Sequence, residues 1–212
     1  MKIAITGPDG SGKSTLCNML CERLGGTRVV YGGKACFHLF STKIVKSLWN
    51  LGLKLHPTLG FVIQHSLYYP AEYFENWWRI VMRYRSGVTV YDRHIFDRLV
   101  MKHSIKLRYQ HGKIGRLSYW LQYSLTSFWS VVYKYFFPAI DHVFILLPDA
   151  GLCFDRAGGQ YRDITDAIVR VESYRLAYQE MNDDLSYHLL PVSPSDNLND
   201  CLKSLLNQIE EK

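Results

Sequence analysis

The sequence predicts an α/β fold in which a five-stranded parallel sheet is covered by helices on both faces. Five short apolar segments are typical of strands that are buried on both sides. Amphipathic helical patterns separate these segments, and such alternation indicates a parallel sheet. A glycine-rich turn joins the first strand to the first helix. The whole chain, 1–212, is therefore predicted to form a single domain.

The predicted elements alternate along the chain. The strand candidates are Lys2–Thr6, Thr27–Tyr31, Val88–Tyr91, His142–Leu147 and Tyr187–Leu190. Apolar residues recur at helical spacing over 164–181 and 198–209, which predicts two amphipathic helices. Two further helical stretches, at about 37–60 and 103–138, are predicted to be insertions between elements of the sheet.

Charge is segregated along the chain. Residues 23–71 contain six Lys or Arg, residues 98–140 contain seven, and neither stretch contains Asp or Glu. Since the net charge is +6, the remainder carries −7. One side of the molecule is therefore expected to attract anions. A phosphorylated substrate or a membrane surface fits this charge. A nucleic acid fits less well, because no known nucleic-acid-binding module is recognisable.

The cysteines and the apolar runs predict a cytoplasmic protein. The five cysteines form no CxxC pair, which favours small buried side chains in a reducing compartment. No apolar run is long enough to span a bilayer, because residues 131–148 are broken by Lys134, Pro138 and Asp141. The first predicted strand begins at Lys2, which leaves no room for a signal peptide.

Residues 7–14 fit the phosphate-binding pattern GxxxxGK[ST] at each fixed position. Glycines allow the backbone to turn its N–H groups toward an anion, and the N-terminus of the following helix adds a positive dipole end. Lys13 is predicted to reach the β- and γ-phosphates of ATP, and Ser14 to hold Mg²⁺. The predicted nucleotide-binding residues of this loop are Gly7, Asp9, Gly10, Ser11, Gly12, Lys13, Ser14 and Thr15.

Two later segments carry further phosphate chemistry. Asp92 and Arg93 follow the third strand candidate, and ligands collect at the carboxyl ends of strands in open α/β sheets. The segment 155–163 contains two glycines and the arginines Arg156 and Arg162. It is predicted to be a mobile lid whose arginines close over a transferring phosphoryl group. The alternatives are a salt-bridged loop at Asp92 and an ordinary loop between helices at 155–163.

The order of these motifs resembles the thymidylate-kinase-like nucleoside monophosphate kinases, a family of P-loop kinases. The resemblance implies transfer of the γ-phosphoryl of Mg·ATP to a nucleoside monophosphate or related small acceptor. It implies catalytic roles for Lys13, Asp92, Arg93, Arg156 and Arg162, and a metal site at Ser14 and Asp92. It also implies acceptor contacts at Asp9, Tyr68, Arg79 and Arg93, and an adenine contact at Ser193. Some members carry a catalytic arginine at the position of Gly10, so here the resemblance assigns that role to the lid.

The sequence departs from this family at two places. The second strand is followed by Tyr31-Gly32-Gly33-Lys34 rather than by an arginine-containing stretch. Glu72 follows Tyr68 by four residues, where the family has an arginine that binds the acceptor phosphate. A carboxylate there would repel a phosphate, unless Arg79 or Arg83 substitutes. A non-nucleotide acceptor, such as a sugar or a lipid-linked molecule, therefore stays open.

Residues 117–137 form an aromatic helical stretch with apolar side chains around most of its circumference. The helix is predicted to be covered on most faces, either by the sheet or in a homodimer. The alternative is an interfacial helix that docks on a membrane. A nucleotide-binding scaffold that docks on a membrane or a partner, without kinase activity, is the second hypothesis for function.

Overall fold

The five strands are β1 (Lys2–Thr6), β2 (Thr27–Val30), β3 (Thr89–Asp92), β4 (His142–Pro148) and β5 (Tyr187–Val192). In the computed structural model they pair in parallel, in the spatial order β2-β3-β1-β4-β5. The structure describes residues 1–30, 40–83, 87–94, 96–136, 139–181, 186–192 and 198–210. The prediction of an α/β fold built on a parallel sheet is confirmed.

The helices follow the strands in alternation, with more than one helix between β2 and β3, between β3 and β4 and between β4 and β5. They are α1 (Lys13–Leu24), α2 (Phe40–Leu55), α3 (Pro57–Ile63), α4 (Tyr69–Arg83), α5 (Phe96–Gln110), α6 (Arg116–Phe136), α7 (Ala150–Arg156), α8 (Ile164–Glu180) and α9 (Leu198–Glu210). A π-helical turn, Gln64–Tyr68, joins α3 to α4. Such turns are rare and are often found at functional sites.

Both faces of the sheet are buried. On one face Ile3, Ile5 and Phe144 pack with apolar residues of α1 and α9. On the other face Ile145 packs with residues of α5 and α8, among them Tyr174. Because successive strand residues point to opposite faces, a strand covered on both sides must be apolar throughout. This requirement explains the short continuous apolar runs of the sequence.

The sheet topology brings two chemical motifs to the same edge. β1 lies between β3 and β4, and Ile5 pairs with Asp92 across the parallel ladder. The phosphate loop follows the carboxyl end of β1, and Arg93 follows the carboxyl end of β3. Since parallel strands end at the same edge, residues far apart in sequence become neighbours there.

The long helix α6 exposes its apolar side chains. Its exposed apolar residues are Leu117, Trp120, Leu121, Phe128, Val131, Tyr135 and Phe136. Thr126 and Ser130 are buried instead, on the side where α6 contacts α5. The prediction that this helix is covered on most faces is therefore wrong within a single chain. Within the described parts of the chain, no helix combines the length and the apolar content that a membrane span requires.

Candidate active site

The phosphate loop has the backbone geometry that its glycines allow. Gly10 and Gly12 adopt φ angles of 84° and 87°, which are left-handed and disfavour any side chain. A Cβ atom on Gly10 would lie 2.6 Å from the carbonyl oxygen of Cys153 in α7. A larger residue at position 10 therefore requires α7 to move, which agrees with the absence of a loop arginine here.

Lys13 is held inside the loop. Its side chain is 6% exposed, and its Nζ donates hydrogen bonds to the carbonyl oxygen of Pro8 (2.6 Å) and to Ser11 Oγ (3.4 Å). Burial, followed by the charge of Arg93, lowers the pKa of Lys13 to about 8. The ammonium group is therefore positioned within the cradle, and it must turn outward to reach a phosphate.

Ser14 and Asp92 join the loop to β3. Ser14 Oγ donates a hydrogen bond to Asp92 Oδ2 at 2.9 Å, and both residues line the same cleft. Hydroxyl and carboxylate oxygens suit Mg²⁺, which is usually held by one or two protein groups together with phosphates and water. The described residues contain no group of three or more His, Cys, Asp or Glu that could hold a metal ion. The pair thus fits an ion that is delivered with a nucleotide.

Arg93 has a strained backbone and two carboxylate partners. Its φ of 84° is the one positive value outside glycine among the described residues, and such conformations cost about 1–3 kcal/mol. Its guanidinium contacts Asp9 Oδ1 at 2.6 Å and Asp97 Oδ2 at 3.5 Å. The strained backbone and the two ion pairs together fix the position of this cation at the cleft.

Asp97 is a site residue that the sequence analysis missed. Its Oδ1 accepts hydrogen bonds from Thr6 Oγ1 (2.6 Å) and from Tyr174 OH (2.7 Å), while its Oδ2 faces Arg93. Asp97 lies in the first turn of α5, four residues after Arg93, which is a spacing typical of ion pairs. That spacing is the sequence signal that could have identified Asp97. No sequence pattern indicates its partners Thr6 in β1 and Tyr174 in α8.

The carboxylate of Asp9 stays ionised in this environment. Burial raises the pKa of Asp9, but the charges of Arg93 and Lys13 and the hydrogen bond from Arg93 together lower it by more. The pKa of Asp9 therefore lies below its ordinary value. Arg170 of α8 adds a weaker attraction of the same sign. The site therefore alternates cations and carboxylates, and it presents neither a purely positive nor a purely negative surface.

The predicted lid, 155–163, contacts the phosphate loop through Tyr161, a residue that was not predicted to belong to the site. Tyr161 OH donates a hydrogen bond to the carbonyl oxygen of Asp9 at 3.1 Å. Arg156 lines the cleft, which has a volume of about 400 Å³, whereas Arg162 is exposed and lies near Asp166. Asp155 and Arg156 belong to the end of α7, so the connecting segment itself is shorter than the predicted 155–163.

The structure describes some of the residues predicted to contact the acceptor and not others. Tyr68 is buried against Trp49, with ring centroids 4.9 Å apart, whereas the neighbouring Tyr69 lines a second cavity. Glu72 forms an ion pair with Arg98, so its charge is compensated. The side chains of Arg79 and Arg83 lie outside the described part of the structure, as do Lys34 and Ser193.

Solved structures of two kinases are similar in fold to this chain. A deoxyadenosine kinase from M. mycoides, solved with dCMP and dCDP, matches with a TM-score of 0.61 and 14% identity over 100% of both chains. A thymidylate kinase from Candida albicans matches with a TM-score of 0.67 and 17% identity over 99% of this chain and 90% of that chain. No protein-family model and no curated protein matches the sequence. The chain therefore has a nucleoside monophosphate kinase-like fold.

Proposed function

We propose that this protein transfers the γ-phosphoryl group of ATP to a small acceptor that is bound beside Asp92 and Arg93. One observation carries the proposal. Lys13 and Ser14 of the phosphate loop, Asp92 and Arg93 of β3, and Arg156 of the lid line a single cleft. The likeness of the fold to the two kinases supports a phosphotransferase, although it leaves the acceptor open.

The residues of the cleft fit the demands of phosphoryl transfer. The reaction needs positioning and charge stabilisation more than covalent chemistry from the protein. Lys13 would exchange its contact with the carbonyl of Pro8 for the β- and γ-phosphates. Arg156, which lines the same cleft, would stabilise the charge that develops on the transferring group. Arg93, fixed by Asp9 and Asp97, would hold the acceptor in line.

Ser14 and Asp92 are the residues that we propose for Mg²⁺, since their oxygens already lie 2.9 Å apart at the phosphate loop. A bound Mg²⁺ would neutralise charge on the β- and γ-phosphates. The hydrogen bond between the two side chains keeps the hydroxyl oriented toward the carboxylate in the absence of nucleotide.

The lid would exclude water, which otherwise competes with the acceptor. Its contact between Tyr161 and the carbonyl of Asp9 keeps it near the phosphate loop. The acceptor would be a nucleoside monophosphate or a related small molecule. The pairing of Glu72 with Arg98 removes part of the repulsion that a phosphate would meet there.

A screen of ADP release tests the proposal. Purified protein is incubated with Mg·ATP and, separately, with nucleoside monophosphates, nucleosides and sugar phosphates. Lys13→Ala is expected to abolish the acceptor-dependent release, because the β- and γ-phosphates lose their cation. Lys203→Ala, which removes an exposed lysine of α9, is the matched control and should behave as the parent.

Two outcomes would contradict the proposal. Turnover of Lys13→Ala within a few-fold of the parent would exclude the phosphate-loop mechanism. Tight binding of ATP without ADP release in the presence of any acceptor would instead favour a nucleotide-binding scaffold.

A further inference from the structure

An apolar groove opens between the helical insertions. It has a volume of about 430 Å³, and its walls come from α2, α3, the π-helical turn and α6. Leu53, Phe61, Leu117 and Leu121 supply the apolar walls, and Leu117 is 85% exposed. Apolar surface that is left open beside a cavity marks a site for an apolar ligand or partner.

A smaller polar cavity lies directly behind this groove. Its volume is about 180 Å³, and it shares Phe61, Gln64 and Gln122 with the groove. The cavity alone is smaller than the ~300–1,000 Å³ of most ligand pockets, whereas the groove alone already falls within that range. Because the two share three lining residues, a ligand that enters the groove can extend into the cavity.

Two buried polar atoms of the cavity lack hydrogen-bond partners among the described residues. They are Nδ1 of His65 and Oγ1 of Thr126, whose residues are 6% and 2% exposed. A helical threonine usually bonds to the carbonyl four residues earlier, as Ser130 does to Thr126. Buried groups without partners are costly, so their presence here points to a polar ligand that satisfies them.

The polar cavity is linked to the proposed site of phosphoryl transfer through Arg170, and the two pockets share no lining residue. Arg170 lines the cavity, and its guanidinium lies 5.3 Å from the ring centroid of Tyr174, which donates to Asp97. Burial lowers the pKa of Arg170, but Tyr174, Asp97 and Asp9 raise it above its ordinary value. Arg170 thus connects the cavity to the carboxylates that hold Arg93.

The outer surface around the groove is apolar and basic. Lys54 and Arg116, both exposed, directly adjoin the groove residues Leu53 and Leu117 in sequence. Leu51, Leu55 and Trp120 add exposed apolar side chains nearby in the sequence. Carboxylates from outside residues 23–71 and 98–140 pair with Arg98, Lys102 and Lys113, whereas Lys54 and Arg116 form no ion pair among the described residues. Such a combination complements an anionic lipid surface.

We infer that the acceptor is an amphiphilic alcohol taken from an anionic membrane surface, with its hydrocarbon chain in the apolar groove, its polar head in the polar cavity and its reacting hydroxyl directed past Arg170 toward Asp9 and Arg93. This inference rests on the proposed phosphotransferase function. In the reaction the hydroxyl oxygen bonds to the γ-phosphorus, and the bond from that phosphorus to the β,γ-bridging oxygen breaks. ADP leaves with the electron pair, and the hydroxyl proton passes to the carboxylate of Asp9.

A second copy of the chain is a less favourable occupant of the groove. In a symmetric dimer the same patch lies on both sides of the interface. Lys54 and Arg116 of both copies would then approach one another without a carboxylate from either acid-free stretch between them. Repulsion between like charges opposes that arrangement, whereas an anionic lipid surface is attracted by it.

Sedimentation with lipid vesicles tests the membrane part of the inference. The full chain is mixed with vesicles of phosphatidylcholine alone, or of phosphatidylcholine and phosphatidylglycerol in equal parts. Binding is expected only to the second kind, and Leu117→Asp/Leu121→Asp should weaken it at least tenfold. Ile168→Asp, which changes an exposed apolar residue of α8, should bind as the parent.

Equal binding of the double variant and the parent, or no binding to either kind of vesicle, would overturn the inference. So would a dimer in analytical ultracentrifugation that the double variant dissociates, because a second copy would then cover the groove.

Calorimetry with two glucosides tests the groove and the cavity directly. Decyl β-D-glucoside, below its micelle concentration, is expected to bind, while methyl β-D-glucoside is not. Leu121→Asp should weaken the decyl compound at least tenfold, and Thr126→Val should weaken it by a smaller factor. Equal affinities for the two glucosides, or an unchanged affinity in Leu121→Asp, would contradict the inference.

These measurements separate the inference from the proposed function, because neither requires ATP or turnover. Loss of glucoside binding with intact ADP release would refute the amphiphilic acceptor and leave the kinase. Intact glucoside binding without ADP release would refute the kinase and leave a lipid-binding site.

Discussion

The two halves of the candidate site are built in opposite ways. On the phosphate side, one continuous loop supplies most of the groups, and Lys13, Ser14 and Asp97 all have hydrogen-bond partners within the protein. On the proposed acceptor side, the walls come from α3, the π-helical turn, α4, α5, α6 and α8, and two buried polar atoms lack partners among the described residues. The polar groups of the phosphate side thus have partners within the protein, whereas on the proposed acceptor side the inferred ligand would supply them.

The largest expected effect on the phosphate side concerns Arg156 and Arg162, the two arginines of the predicted lid. Arg156→Ala is expected to lower kcat by about 10³-fold or more, because Arg156 already lines the cleft. Arg162→Ala should have a much smaller effect, because Arg162 is not among the residues that line the cleft. Steady-state kinetics of both variants provides the measurement. Equal losses would show that the lid closes further and brings both arginines to the phosphates.

A pH profile tests whether the phosphate side is set by Lys13. The pKa of Lys13 is about 8 in the free protein, and only the protonated form attracts the phosphates. The value of kcat/KM for ATP should therefore be level below pH 8 and fall about tenfold per pH unit above it. Asp9→Asn removes a charge that raises this pKa, so in that variant the break in the affinity for ATP, measured by calorimetry because Asp9 is also the proposed proton acceptor, should move to lower pH. A level profile through pH 9 would contradict the assignment.

The smallest expected effect is a difference in stability between variants of two buried threonines, Thr6 on the phosphate side and Thr126 on the proposed acceptor side. Thr6 donates to Asp97, so Thr6→Val should reduce the free energy of unfolding by about 1–3 kcal/mol. The hydroxyl of Thr126 has no partner among the described residues, so Thr126→Val should leave stability unchanged or raise it by about 1 kcal/mol. Urea unfolding of both variants measures the difference. Equal destabilisation would show that Thr126 has a partner in solution, and the contrast between the two sides would fail.

The parts of the molecule that the sequence predicted are those encoded by local patterns. The strands follow from short apolar runs, and the phosphate loop follows from glycines, a lysine and a serine at fixed spacing. Asp92 and Arg93 could be placed beside that loop because parallel strands end at one edge of a sheet.

The parts that escaped prediction depend on contacts between distant segments. The charge of Glu72 is unfavourable at an acceptor site, and the partner that compensates it, Arg98, lies in a different helix. Asp97 is held by Thr6 and Tyr174, which lie 91 and 77 residues away from it in the sequence. The composition of α6 was nearly apolar all round, so its pattern could not show that Thr126 would face inward. Pairings of this kind arise from tertiary packing, which a local pattern does not record.

The close approach of Gly10 to the carbonyl of Cys153 has a consequence for the substitutions that the phosphate loop tolerates. That carbonyl also accepts the hydrogen bond from the amide of Ala157, so it is fixed within α7. A lineage with this packing cannot gain a loop arginine by one substitution, because α7 would have to shift first. Proteins related to this chain would then keep their phosphate-binding arginines in the predicted lid. Directed evolution that starts from this chain should yield improved variants with substitutions in the predicted lid before it yields any at position 10.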